Sequence, residues 1–126
     1  METRNVVAWF EIYVADMPRA RAFYEAVFGR ELMQLPASGQ IVAMYAFPWI
    51  DGGPGAAGAL VQMAGKEPGG GGTLVYFSCE DVADEAAKAE AAGGKLILPK
   101  MAIGEWGFIA LALDTEGNMI GLHSMQ

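Results

Sequence analysis

An apolar stretch from Trp9 to Val14, broken by the single charge of Glu11, passes into helical spacing. As a strand, this stretch places Trp9, Glu11 and Tyr13 on one face and Phe10, Ile12 and Val14 on the other. Asp16 offers a carboxylate to the free N–H groups of the next turn, and Pro18 is tolerated inside that first turn. Ala20, Phe23, Tyr24 and Val27 recur as an apolar stripe, and Gly29 supplies a left-handed stop. The pattern predicts a helix packed back on the Phe10/Ile12/Val14 face. The Trp9/Glu11/Tyr13 face is left to line something else.

Further on, residues 31–35 read as a short strand ended by Pro36, and 40–47 as a buried strand. A glycine-rich connection leads to a fourth strand over 59–63. Residues 64–72, with four consecutive glycines, read as a flexible linker. The pattern then restarts: a strand over 73–79, the cap Asp81, an alanine-rich helix over 82–92 and the stop Gly93-Gly94. Strands follow over 95–98, closed by Pro99, over 107–113, and over 118–124 after a turn at 114–117.

At a shift of 65 residues the halves superpose without gaps: Asp16 falls on Asp81, Gly29 on Gly94 and Leu32 on Ile97. Each half reads strand–helix–strand–strand–strand. One such unit buries only one face of a small sheet, so the expectation is an α+β fold. Its two βαβββ modules would form one curved mixed sheet, a cup, with the helices outside and Trp9, Glu11 and Tyr13 within. The whole chain, 1–126, is expected to be one domain: module one over about 5–63, the linker 64–72, and module two over about 73–124.

Composition narrows the function classes. Hydrophobic residues make up 53% and charged residues 18%, which predicts a folded chain. The net charge of −7, with scattered Lys and Arg, argues against nucleic acid. No apolar run reaches membrane-spanning length, and the start METRN has no signal-peptide core, so a cytoplasmic location is expected. The single cysteine, Cys79, fits a reducing compartment. The run at 65–72 lacks a Gly-Lys-Ser/Thr signature and precedes a strand, which excludes a phosphate loop of the P-loop kind.

Two stretches, EIYVADMPRARAFYEAVFG (11–29) and LDTEGNMIGLH (113–123), carry a resemblance to the vicinal oxygen chelate superfamily. That superfamily includes glyoxalase I, bleomycin- and fosfomycin-resistance proteins and extradiol dioxygenases. The resemblance implies paired βαβββ modules forming a cup, commonly in a dimer. It implies no particular reaction. Metal-bearing members place ligands on the first and last strand of each module. The matching positions here are Trp9 and Leu74 on the first strands, Gly121 on the final strand, and a position at or near Ala59. None offers a lone pair suited to a divalent cation, so neither metal nor other cofactor is expected.

The remaining chemistry rests on few residues. Glu11 is a carboxylate within an apolar strand, where it needs a partner or a task; burial would raise its pKa towards acid or base duty. Hydrogen bonding to a neighbouring strand, or to its repeat-mate Tyr76, is the plain structural alternative. His123, the only histidine, alternates onto the face of Gly121 as a candidate base or lone ligand, or stands as a half-exposed polar residue near the chain end. Trp9, Tyr13, Trp49, Tyr76, Trp106 and Phe108 could line the cup, or serve as core and dimer interface. Cys79 faces the helix and reads as an inert buried thiol.

These residues lead to a homodimeric, metal-free binder of a small organic molecule, aromatic or cationic, with bleomycin-resistance-type sequestration as the family analogue. Two alternatives stay open. One is a lyase or oxidoreductase of the glyoxalase/dioxygenase type, using Glu11 and His123 as acid and base or as displaced metal ligands. The other is a dimeric structural or regulatory module whose cup is filled by its own aromatics.

Overall fold

The computed structural model describes residues 5–115 and 117–126. Met1 to Arg4, most of the METRN start, and Glu116, inside the expected turn at 114–117, lie outside them. The elements run β1 (Val7–Tyr13), α1 (Met17–Phe28), β2 (Met33–Gln34), β3 (Ile41–Ala46), β4 (Ala57–Met63), β5 (Thr73–Ser78), α2 (Val82–Ala91), β6 (Lys95–Ala102), β7 (Phe108–Leu113) and β8 (Met119–Ser124). The chain is therefore an α+β protein of two βαβββ modules. A one-turn 3-10 helix, Gly104–Trp106, precedes β7. Contacts divide the described residues into two compact units, one over Trp9–Thr73 and the other over residues 5–8 and those from Leu74 onward.

In the first unit the strand order is β2-β3-β4-β1. β1 and β4 are parallel, with Glu11 opposite Ala59, while β2/β3 and β3/β4 are antiparallel. Asp16, in extended conformation, accepts a bond from Arg19 N–H at 3.1 Å, Pro18 sits in the first turn, and Gly29 ends α1 at φ 66°. The core forms where α1 meets the sheet: Val14, Met17, Leu32 and Leu60 are buried, with Ile12, Ala20 and Tyr24 packed on them. This corrects the stripe read from sequence. Phe23 and Val27 point outward, 59% and 56% exposed, because the inward face runs through Met17, Ala20 and Tyr24.

The second unit has the order β5-β8-β7-β6, with β5 and β8 parallel. Asp81 caps α2, accepting from Ala83 N–H at 2.9 Å, and Lys100 Nζ donates to the same oxygen. Cys79, Val82, Ala86, Ala110 and Leu122 form its core. Here Pro99 does not close β6; the strand continues to Ala102. It lies at the edge of the order and shifts register on either side of Leu98, so the missing N–H of Pro99 costs no ladder bond there.

The two parallel pairings also correct the repeat. Glu11 lies across from Ala59, and its repeat-mate Tyr76 lies across from Gly121. Ala59 therefore matches Gly121, three positions short of the spacing that relates the first strands and helices. The shorter connection before β8 absorbs the difference.

Candidate functional site

Alternation along β1 sends Ile12 and Val14 into the helix-side core and turns Trp9, Glu11 and Tyr13 to the opposite face. There the three side chains bond to one another. Trp9 Nε1 donates to Glu11 Oε2 at 3.3 Å, and Tyr13 Oη donates to Glu11 Oε1 at 2.9 Å. Both carboxylate oxygens thus have a donor two residues away on the same strand. Burial pushes the Glu11 pKa above its ordinary value. The bonds from Tyr13 and Trp9, and the positive charge of Lys66, pull it part of the way back.

Trp49 completes this group from the loop after β3. Its ring meets the Trp9 ring edge-on, with centroids 6.4 Å apart and planes at 84°. Its Nε1 donates to Asp51 Oδ1 at 3.2 Å. Lys66 was not legible as a site residue. The glycine-rich stretch 64–72 is held where the Tyr13 N–H donates to the Gly72 carbonyl at 2.8 Å, and it brings the Lys66 ammonium to 5.8 Å from the Tyr13 ring centroid. The expected linker is part of the site.

The rest of that face is closely filled. Ala46 and Ala59 are 0% exposed and Val61 is 1% exposed. Two hollows lie on the helix-bearing side. One, of about 310 Å³, lies between the end of β1, the start of α1 and residues 68–73; another, of about 280 Å³, is walled by Phe10, Ile12, Tyr24, Phe28 and Phe47. Trp9, Glu11 and Trp49 line neither.

The other expected residues belong to the second unit. His123 Nε2 lies 2.6 Å from the Trp106 carbonyl oxygen, which can only accept, so Nε2 donates this bond. Trp106 itself is 48% exposed. Tyr76 is buried, and its ring occupies the space that a Cβ on Gly121 would need. Phe108 corrects the expected lining: it packs on the helix-side core, with Lys100 Nζ 4.6 Å from its ring centroid. Its partner in the ladder is Ser124, which bonds the first N–H of α2, so that position of β7 must face the helix. Cys79 is also on the helix side. Burial, then the Glu85 charge, pushes its thiol up to about 11, as expected for an inert side chain.

At the four positions where metal-bearing relatives place ligands stand Trp9, buried Ala59, buried Leu74, and Gly121 beneath the Tyr76 ring. Among the described residues no group of three or more His, Cys, Asp or Glu side chains is arranged to hold a metal ion. The residues present do not fit the superfamily's metal centre.

Paired βαβββ modules, with the helix on one side of each sheet, define a glyoxalase-like fold. Residues 6–122 match the model of the Glyoxalase/Bleomycin resistance protein/Dioxygenase superfamily, and the chain belongs to that family. Similar solved structures include a hypothetical protein from Bacillus halodurans, at TM-score 0.73 and 10% identity, covering 99% of this chain and 96% of the other. Methylmalonyl-CoA epimerase from Mycobacterium tuberculosis matches at TM-score 0.70 and 16% identity, covering 100% and 93%. A Streptomyces coelicolor methylmalonyl-CoA epimerase variant in complex with 2-nitronate-propionyl-CoA matches at 0.71 and 17%, covering 95% and 96%. At these identities the likeness is one of fold. No curated protein matches the chain significantly.

Proposed function

We propose that the protein binds a small organic molecule, aromatic or cationic, on the Trp9/Glu11/Tyr13 face, without the family's metal. The observation that carries this reading is a carboxylate with both oxygens held by an indole N–H and a phenol O–H, beside a second indole and an ammonium. Such a group joins negative charge to aromatic surface, which suits flat or cationic ligands. Benzamidinium, followed by tryptophan fluorescence, is the test ligand. Glu11→Gln should weaken its binding about 5- to 30-fold, or roughly 1–2 kcal/mol, the scale of a charged hydrogen bond or cation–π contact. Unchanged affinity in the variant would sink the reading.

The reading includes a homodimer in the cytoplasm. Support for self-association comes from Phe23, Val27 and Phe28, which expose 56–62% of their surface on one helix. Sedimentation should show a species at twice the chain mass of 13.4 kDa, and a monomer alone at micromolar concentration would count against it. No helix among the described residues is long and apolar enough to cross a membrane, and the one cysteine is a free buried thiol.

The filled-cup, structural reading is favoured by the complete burial of Ala46, Ala59 and Val61 on the same face. It gains if neither fluorescence nor melting temperature responds to any cationic or aromatic compound. An acid–base enzyme using Glu11 and His123 would have to work through His123 Nδ1, because Nε2 donates to the Trp106 carbonyl.

A further inference from the structure

We propose that the corner between the Trp9 and Trp49 indoles takes a methylated ammonium group, a trimethylated or quaternary amine, with Glu11 and Asp51 supplying the opposing charge. This deepens the reading above and rests on it. Perpendicular rings in edge contact form a corner, so a group set into it meets two aromatic surfaces at once. The negative charge on the ring faces attracts a cation, and two faces attract it more than one.

Each indole N–H is turned away to a carboxylate two residues along the chain, Trp9 to Glu11 and Trp49 to Asp51. The two bonds fix the ring orientations and place two negative charges beside the corner. Asp51 sits in a tight turn just after Trp49, in which Gly53 N–H donates to the Ile50 carbonyl at 2.9 Å and Gly52 takes φ 76°. The corner is therefore built from a strand and a closed turn.

The choice among cations follows from hydration. Glu11 accepts one bond on each oxygen and Asp51 accepts one from Trp49, so both carboxylates supply charge beside the rings. A primary ammonium holds its water through three donors, which a ring face does not replace. A quaternary ammonium carries the same charge with no donor, and its methyl groups bury apolar surface against both rings.

The test is calorimetry with choline and tetramethylammonium, compared with ethanolamine and with the uncharged tert-butyl analogue of choline. Choline should bind about tenfold more tightly than either comparison compound, and Trp49→Leu should lose about tenfold, as expected when one aromatic wall is removed. Trp49→Phe should keep part of the affinity. Lys66→Met, which removes a like charge, should strengthen choline binding about two- to fivefold. Circular dichroism and melting temperature confirm that each variant is folded. Trp49 is 36% exposed, so its replacement leaves the core intact.

Equal binding of ethanolamine or of the uncharged analogue overturns the proposal, as does choline affinity that ignores Trp49→Leu. If benzamidinium binds in a Glu11-dependent way while the methylated series shows no preference, the corner assignment falls and the broader reading stands. If neither class binds, both fall.

Discussion

The two modules keep one frame and put different chemistry on it. In each, a polar side chain from the last strand bonds the first N–H of the helix: Gln62 Oε1 with Met17 N at 2.9 Å, and Ser124 Oγ with Val82 N at 3.1 Å. In each, an aspartate caps that helix, and the middle of the first strand faces a very small residue on its parallel partner. At that middle position the modules part. Module two lays the Tyr76 ring over Gly121, and module one places the Glu11 carboxylate opposite Ala59, held by an indole and a phenol. Bonds directed at the backbone preserve the frame, while the face away from the helix is free to diverge. Module one spends that freedom on charge, and module two on packing.

The largest break in this comparison should come from Gly121→Ala. Its new Cβ would fall on the Tyr76 ring, so the ring or the strand must shift, at about 2–3 kcal/mol by denaturant unfolding. Ala59→Gly removes one methyl at the matching position and should cost about 1 kcal/mol. A double-mutant cycle with Tyr76→Ala should recover much of the Gly121→Ala loss, since the two residues share one space. Equal, additive effects at the two positions would mean that the modules do not differ there.

Next in size is the helix anchor. Ser124→Ala leaves the Val82 N–H without that bond in a buried setting and should cost about 1–2 kcal/mol. Gln62→Ala should cost about 1 kcal/mol or less, because Gln62 is only half-buried and water can replace it. A larger loss at Gln62 would reverse the ranking of the two anchors.

The frame was readable because it is written locally. Asp16, Asp81 and Gly29 act on N–H and C=O groups within a few residues, and alternation along β1 fixes which side chains share a face. What depended on the chain's return was not readable. Lys66 meets Tyr13 only because the Gly72 carbonyl ties the glycine-rich stretch to the end of β1. Phe108 stayed open between cup lining and core in the sequence, because only its pairing with Ser124 across the ladder fixes its face. The outward Phe23 and Val27 show the same limit: an apolar stripe one step wide of the core reads like the core itself. In the candidate site, the shared face of Trp9, Glu11 and Tyr13 was visible, whereas the bonds among them were not, since the sequence pointed Glu11 to a neighbouring strand or Tyr76; nor were Asp51 and Lys66.

The smallest effect is the most diagnostic, because it separates a carboxylate kept for stability from one kept at a cost. The Glu11 pKa is raised in the folded chain, chiefly by burial. As pH rises from below 4.5 through that raised value, the unfolded chain gives up this proton first and the folded chain holds it. Stability contributed by Glu11 must therefore fall across the window and level off above it. Half-buried Glu25 and Asp81, whose pKa values are lowered, act in the opposite sense. Their contributions cancel when wild type is compared with Glu11→Gln. The glutamine does not titrate and can still accept from Trp9 or Tyr13. The variant's melting temperature relative to wild type should rise from acid to neutral pH and level off above the window. Lys66→Met should widen the window, since the Lys66 charge is one of the influences holding the Glu11 pKa down. A variant that is more stable at neutral pH yet binds benzamidinium less tightly would mark Glu11 as a group retained for binding against its own cost in stability. A melting difference that stays flat with pH, or that favours wild type at neutral pH, would instead make Glu11 part of the frame and erase the contrast with Tyr76.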